Sequence, residues 1–290
     1  MYSLVRLGWK YLHYYFTAAN GKGHGIHSPF VFDFVTRVMN DRGSYPAWAA
    51  IEELRGRLLR DRRLLEIEDM GAGSAFAGAA EAVRRRKISD IARRAAKPPR
   101  LGQLLFRIAH HYQPATILEL GTSLGLSTAY LATGAPGARV ISMEGSGSII
   151  ETAAENLHLL GVDAELLQGN FDVLLEPLLE RIGNACPPSR SALAERGGKP
   201  PGAAGPVELA FVDGNHRYEP TLRYFHLLMA HMSAPAVLIF DDIHWSADME
   251  RAWAAIRADS RVYMTIDLFF IGLVFFRDEF KIKQDFTIRF

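Results

Sequence analysis

From Ala115 to Phe276 short apolar runs alternate with stretches of helical length, and that alternation admits few folds. Residues 116–120 read as a strand, with a helix following through Tyr130. Residues 139–143 read as a second strand, with a helix over about 148–160. A third strand is expected at 164–167 with a helix near 173–182, a fourth at 208–212, and a fifth at 236–240 with a helix over 248–258. Strands separated by helices imply a mostly parallel, doubly wound sheet. Residues 262–269 and 272–276 are joined by a very short turn, so that pair is expected to be antiparallel. The expected fold is α/β: a Rossmann-like, seven-stranded, mostly parallel sheet over residues 111–290, preceded by a mainly helical extension or lid over 1–110. Residues 183–206 carry Pro, Gly, Ala and Arg without apolar period and read as a flexible insertion.

Bulk properties narrow the function. At 290 residues the chain is one large domain or a domain with an appendage, and 49% hydrophobic residues suffice for a core. The net charge of +1 gives no global field that would recruit nucleic acid or an acidic membrane. Cys186 is the one cysteine, which excludes an internal disulfide, and no Cys/His spacing suits zinc. A reducing cytoplasm is the expected compartment. The N-terminal apolar stretch is interrupted by Arg6, Lys10 and His13 and does not read as a signal peptide. The apolar run from Leu268 to Phe276 is far shorter than the roughly 20 residues of a spanning helix. The basic stretches at 55–63 and 84–87 read as solvated faces. His24-Gly25-Ile26-His27-Ser28-Pro29-Phe30 reads as a turn leading into a helix that carries Val31, Phe34 and Val35, with a substrate lid as the alternative.

Glu119-Leu120-Gly121-Thr122-Ser123-Leu124-Gly125 lies where the first strand turns into its helix. Open α/β sheets bind ligands at the carboxyl ends of their strands. Gly121 and Gly125 let the backbone approach a ligand without a Cβ in the way. Ser127 and Thr128 open the helix with hydroxyls. Glu144 ends the second strand, where a carboxylate can grip two ribose hydroxyls. A dinucleotide site prefers G-x-G-x-x-G, because a pyrophosphate sits on the helix N-terminus. Here Ser123 takes the place of the middle glycine, and Glu119 adds negative charge. S-adenosylmethionine (SAM) has no phosphate and carries a sulfonium and an ammonium, so acidic residues suit it. A second acidic-x-Gly-x-Gly sequence, Asp69-Met70-Gly71-Ala72-Gly73-Ser74, is followed by Arg84 to Lys87 instead of a carboxylate-ended strand, and reads as a turn.

The fourth strand ends in Asp213-Gly214-Asn215-His216, the fifth in Asp241-Asp242-Ile243-His244-Trp245. Neighbouring strands lie about 4.8 Å apart, so three carboxylates would converge. Adjacent carboxylates repel unless a cation or proton compensates, and oxygen ligands favour a hard ion such as Mg²⁺. Helix capping by each Asp is the competing reading. His216 suits a general base, since an unperturbed imidazole titrates near 6.5. His244 is a weaker candidate. His110, His111, His158, His226 and His231 fall on helical stretches.

Together these segments resemble the cation-dependent O-methyltransferases, the catechol and caffeoyl-CoA type and its macrolide-sugar relatives. The resemblance runs from about Ala115 to Arg277. It implies metal ligands at Asp213, Asp241 and Asp242, and cofactor contacts at Glu119, Gly121, Thr122, Ser123, Gly125, Ser127, Glu144, Gly145, Asn170, Phe171 and Asp213. It places Asn170 against the adenine, where many relatives have Asp. It implies catalytic roles for His216 and Asp213. The catechol type has Lys at the position of His216, which argues against a catechol acceptor. Trp245 matches an aromatic after the metal pair. The expected activity is SAM-dependent, metal-assisted O-methylation of a small-molecule hydroxyl, with Mg²⁺ or a similar divalent cation. A homodimer is expected, with no nucleic-acid partner and no membrane span. A metal-independent N- or O-methyltransferase, an NAD(P)-linked oxidoreductase and a non-catalytic SAM-binding module remain open on these residues.

Overall fold

A computed structural model describes residues 1–67, 84–184 and 206–290. The chain divides into two compact units, Gly43–Val207 and Met1–Arg42 with Glu208–Phe290. The Asp69–Ser74 sequence, Cys186 and most of the expected insertion lie outside the described residues.

In the first unit, strands β3 (Thr116–Leu120), β4 (Arg139–Glu144) and β5 (Glu165–Gln168) run parallel in that order. Every residue of β3 is buried, as expected of a strand covered on both faces. Leu120 pairs with Met143 and Glu144 with Gln168, so β4 continues one residue past its neighbour β3 and ends on a carboxylate. Helices α3 (Pro46–Leu58), α4 (Ile88–Ala95), α5 (Pro99–Tyr112), α6 (Leu126–Gly134), α7 (Gly147–Leu159) and α8 (Phe171–Asn184) belong to this unit. Ile51, Leu54 and Leu58 of α3 recur at helical spacing and pack with Ile88, Phe106, Leu126, Tyr130 and Leu157 in one cluster. Tyr130 keeps its hydroxyl satisfied by donating to Glu52 at 2.6 Å. A short antiparallel hairpin, β1 (Leu64–Ile67) with β2 (Arg84–Lys87), breaks the helical character expected of this region. All four residues of β2 are exposed, in keeping with a solvated basic face.

The second unit begins with α1 (Leu4–Thr17) and α2 (Pro29–Asp33), which runs directly into a π-helical turn at Phe34–Met39. The Ser28 hydroxyl caps α2 by accepting from the Val31 N–H at 3.5 Å, and Val31, Phe34 and Val35 are fully buried. His24-to-Phe30 is therefore the turn into a buried helix. The other elements are β6 (Val207–Val212), which starts one residue before this unit, α9 (Tyr218–His231), β7 (Met232–Asp241), α10 (Ala247–Ala258), β8 (Met264–Asp267), β9 (Ile271–Phe276) and β10 (Gln284–Thr287). Their strand order is β10-β8-β9-β7-β6. β8 and β9 are antiparallel as the short turn demands, and β9 is also antiparallel to β7. β10 pairs in parallel with β8 and was not expected. It makes eight strands, β3 to β10, where seven were anticipated. Its alternating half-buried and exposed residues mark an edge strand, too polar to register as an apolar run.

Candidate active site

The loop between β3 and α6 holds three residues at positive φ: Gly121 at 108°, Ser123 at 48° and Gly125 at 82°. Gly125 is also confined, since a Cβ there would stand 3.3 Å from Leu157 Cγ and 3.4 Å from the Ala153 carbonyl. The Gly121 and Thr122 N–H groups donate to the Met143 carbonyl at 2.9 and 3.1 Å, tying the loop to the end of β4. Glu144, half-buried, accepts from the Ser123 N–H at 2.9 Å and the Ser146 N–H at 3.2 Å. Burial raises its pKa, and the N–H donors of Ser146, Ser123 and Gly145 offset only part of that. Loop and carboxylate thus form one hydrogen-bonded unit.

Glu119, an expected cofactor contact, lies inside the fold. It is fully buried, and its Oε2 accepts from Thr128 Oγ1, and from Ser142 Oγ at 2.6 Å. Ser127 adds a further hydroxyl. The Thr122 hydroxyl is also enclosed, 2.6 Å from Ser142 Oγ. The Ser142 hydroxyl thus links Glu119 to Thr122 of the loop. Burial raises its pKa, more than the hydroxyls of Ser127, Ser142 and Thr128 lower it. Ser142 was missed at the sequence level. Its signal was a lone hydroxyl in the middle of an apolar strand, which needs a buried partner.

Past β5, Gly169 at φ 146° donates its N–H to the Glu144 carbonyl at 2.9 Å. Asn170 then starts α8, its Oδ1 accepting from the Asp172 N–H at 2.9 Å, and half-buried Phe171 follows. Gly145 is half-buried beside Glu144.

In the second unit Asp213 follows the last residue of β6, and Asp241 is the last residue of β7. Together with His216 they form a group whose ligand atoms all lie within 4.8 Å of one another. His216 Nε2 stands 3.6 Å from Asp213 Oδ1, and Asp241 is 1% exposed. Asp242, expected as the third carboxylate, lies outside this group. Its backbone takes a left-handed φ of 54°. The donor set is the carboxylate pair of Asp213 and Asp241, with the His216 imidazole beside it. It fits a hard or borderline divalent ion such as Mg²⁺ or Mn²⁺.

His244 serves packing and charge balance. Its Nε2 lies 2.8 Å from Asp267 Oδ2 and its Nδ1 3.1 Å from Glu250 Oε1, with Phe269 stacked on the ring. Burial lowers its pKa, but Asp267 and Glu250 outweigh that and hold it above the usual imidazole value. Among the other histidines, His110 stacks on Phe106, and His231 Nδ1 lies 2.8 Å from the Leu227 carbonyl.

Residues 118–243 match a family described as a methyltransferase domain. A catechol O-methyltransferase of Mycobacterium tuberculosis is 28% identical over 143 residues, 49% of this chain and 54% of that protein. A transmembrane O-methyltransferase homolog of Rattus norvegicus is 34% identical over 71 residues, 24% of this chain and 28% of its own. The chain thus spans about half or less of the length of the curated relatives it matches. Among solved structures, an SAH-bound methyltransferase of Podospora anserina aligns with a TM-score of 0.53 at 16% identity, covering 87% of this chain and 97% of that one. An O-methyltransferase of Bacillus cereus in complex with SAH aligns with a TM-score of 0.50 at 18% identity, covering 85% and 97%. These two alignments establish the shared fold. In sequence, residues 118–243 thus resemble a methyltransferase domain, and in fold the chain is similar to solved methyltransferases.

Proposed function

We propose that the protein transfers the methyl group of SAM to a hydroxyl oxygen of a small molecule, assisted by a divalent cation at Asp213 and Asp241. The observation that carries this reading is the Asp213–His216–Asp241 group at two strand ends, in a chain whose β3–α6 loop is tied to a strand-end carboxylate. The cofactor falls to the loop: Gly121, Ser123, Gly125 and Ser127 give close backbone and hydroxyl approach. Glu144 takes the ribose hydroxyls, and Gly145, Asn170 and Phe171 the adenine side. Glu119 and Thr122 set the loop from below.

Bound SAM supplies a methyl group already activated on a sulfonium. The chain's own work is then positioning and proton transfer. A bound divalent cation lowers the pKa of a hydroxyl it contacts, and two adjacent carboxylates are the groups that retain such an ion. His216, beside Asp213, takes the acceptor's proton as its oxygen gains the methyl group. A small-molecule acceptor and a cytoplasmic setting belong to the same proposal.

Thermal shift with SAM and with NAD tests the cofactor. SAM should raise the melting midpoint, and stabilisation by NAD alone would sink the reading. Asp241→Ala should lose cation-dependent turnover while SAM affinity stays within about twofold. His216→Ala should lower kcat by about 10²–10⁴, the usual contribution of a general base, with cation affinity retained. A loss of cation affinity instead would make His216 a ligand.

A further inference from the structure

α1 is held on one side and bare on another. Tyr14 is buried, its hydroxyl donates to the Ile288 carbonyl, and Tyr11 and Tyr14 both pack on Phe269 with ring centroids 5.1 and 5.2 Å away. Lys10 Nζ reaches Glu250 at 2.8 Å, and the Tyr2 hydroxyl donates to the same carboxylate at 2.7 Å. These contacts fix the rotation of the helix. The opposite face carries Val5, Trp9, Leu12 and Phe16, spaced i, i+4, i+7, i+11, and they are 73, 71, 47 and 77% exposed. Leu4 widens this stripe at 84% exposure. Apolar side chains scattered singly over a surface need no explanation, but a contiguous stripe on a fixed helix does.

Charge indicates what covers it. No Asp or Glu occurs before Asp33, while Arg6, Lys10 and Lys22 give that segment three cations in a chain of net charge +1. Arg6, Trp9, Lys10 and His13 line one wall of a groove of about 460 Å³, whose other wall carries Arg257 and His244 beside Glu250 and Asp267, and Lys10 is paired to Glu250. An apolar face flanked by Arg6 and His13, on a segment without carboxylates, is the pattern of a helix lying in the surface of an anionic bilayer. A second copy fits less well. In an antiparallel two-fold pairing of the stripes, Arg6 and His13 of one helix would fall beside the same flank of the other, with no carboxylate on α1 to offset them.

We infer that α1 is an interfacial anchor, which places Val5, Trp9, Leu12 and Phe16 among the acyl chains of an anionic membrane and Arg6 among its headgroups. The test is co-flotation of the full chain with vesicles of phosphatidylcholine alone, or with about one part in three phosphatidylglycerol. The protein should float with the anionic vesicles and remain behind with the neutral ones. Arg6→Ala should weaken binding about fivefold, the worth of one basic residue at such a surface. Trp9→Ser with Phe16→Ser should weaken it more than tenfold with an unchanged melting midpoint, since both side chains stand in solvent. No flotation, equal flotation with neutral vesicles, or a dimer in sedimentation velocity that the double variant disperses would overturn the inference.

Discussion

Glu119 is a fully buried carboxyl at the start of the β3–α6 loop, held by the hydroxyls of Thr128 and Ser142. Its pKa is raised by burial, so the folded chain holds its proton to higher pH than the unfolded chain does. Where only the folded state holds that proton, stability falls as pH rises, starting in the ordinary Glu range and ending at the folded pKa. Glu119→Gln keeps an acceptor for Thr128 and Ser142 and removes the titration. Its melting midpoint should fall less than the wild type's on going from pH 4 to neutrality; an unchanged slope in differential scanning calorimetry would contradict this. The position of Glu119 was legible in the sequence, but its inward direction was not. A strand residue before a glycine loop can point either way, and only the hydroxyls of Ser142 and Thr128 decide it. Asp242 teaches the same lesson. Two successive carboxylates read as a pair, yet among the described residues it is Asp241 that groups with Asp213 and His216. Asp242→Ala should therefore retain most cation affinity in a calorimetric titration, where Asp241→Ala loses it.

At the scale of elements, β3, β4, α7 and α8 were legible because their apolar residues recur with the period of their structure. The π-helical turn at Phe34–Met39 was not, since one extra residue per turn leaves no mark in so short a stretch. Nor was the β1–β2 hairpin, whose second strand is Arg84-Arg85-Arg86-Lys87 and gains pairing without burial. Helix pairing leaves its own trace in glycine. A Cβ at Gly134, the last residue of α6, would stand 2.5 Å from the Phe106 carbonyl and 3.0 Å from Ala109 Cβ, both on α5. Backbone cannot yield as a flexible side chain can. Gly134→Ala should cost about 1–3 kcal/mol, the usual penalty of overpacking, read as a lower urea midpoint at unchanged slope.

At the scale of the whole molecule, the two proposed sites fall in different units. The cofactor loop, Glu144 and Asn170 belong to Gly43–Val207, and the acid–imidazole group to Met1–Arg42 with Glu208–Phe290. The alternating strands and helices made the fold readable from either part. The acceptor was not readable, because no periodicity encodes a pocket's occupant. Whole-chain charge also concealed a local imbalance, since the +1 total sums a basic start with acidic residues elsewhere. Damage to the acid group should spare cofactor binding, and Glu144→Ala, which removes the proposed ribose partner, should weaken SAM binding at least tenfold by calorimetry. The most direct test of the account is release of S-adenosylhomocysteine from SAM across a panel of small hydroxylated acceptors, in EDTA and after Mg²⁺ or Mn²⁺ is restored. The expected result is acceptor-dependent release that EDTA removes, the cation restores, and Asp241→Ala lacks. Equal release in EDTA and in that variant would contradict it.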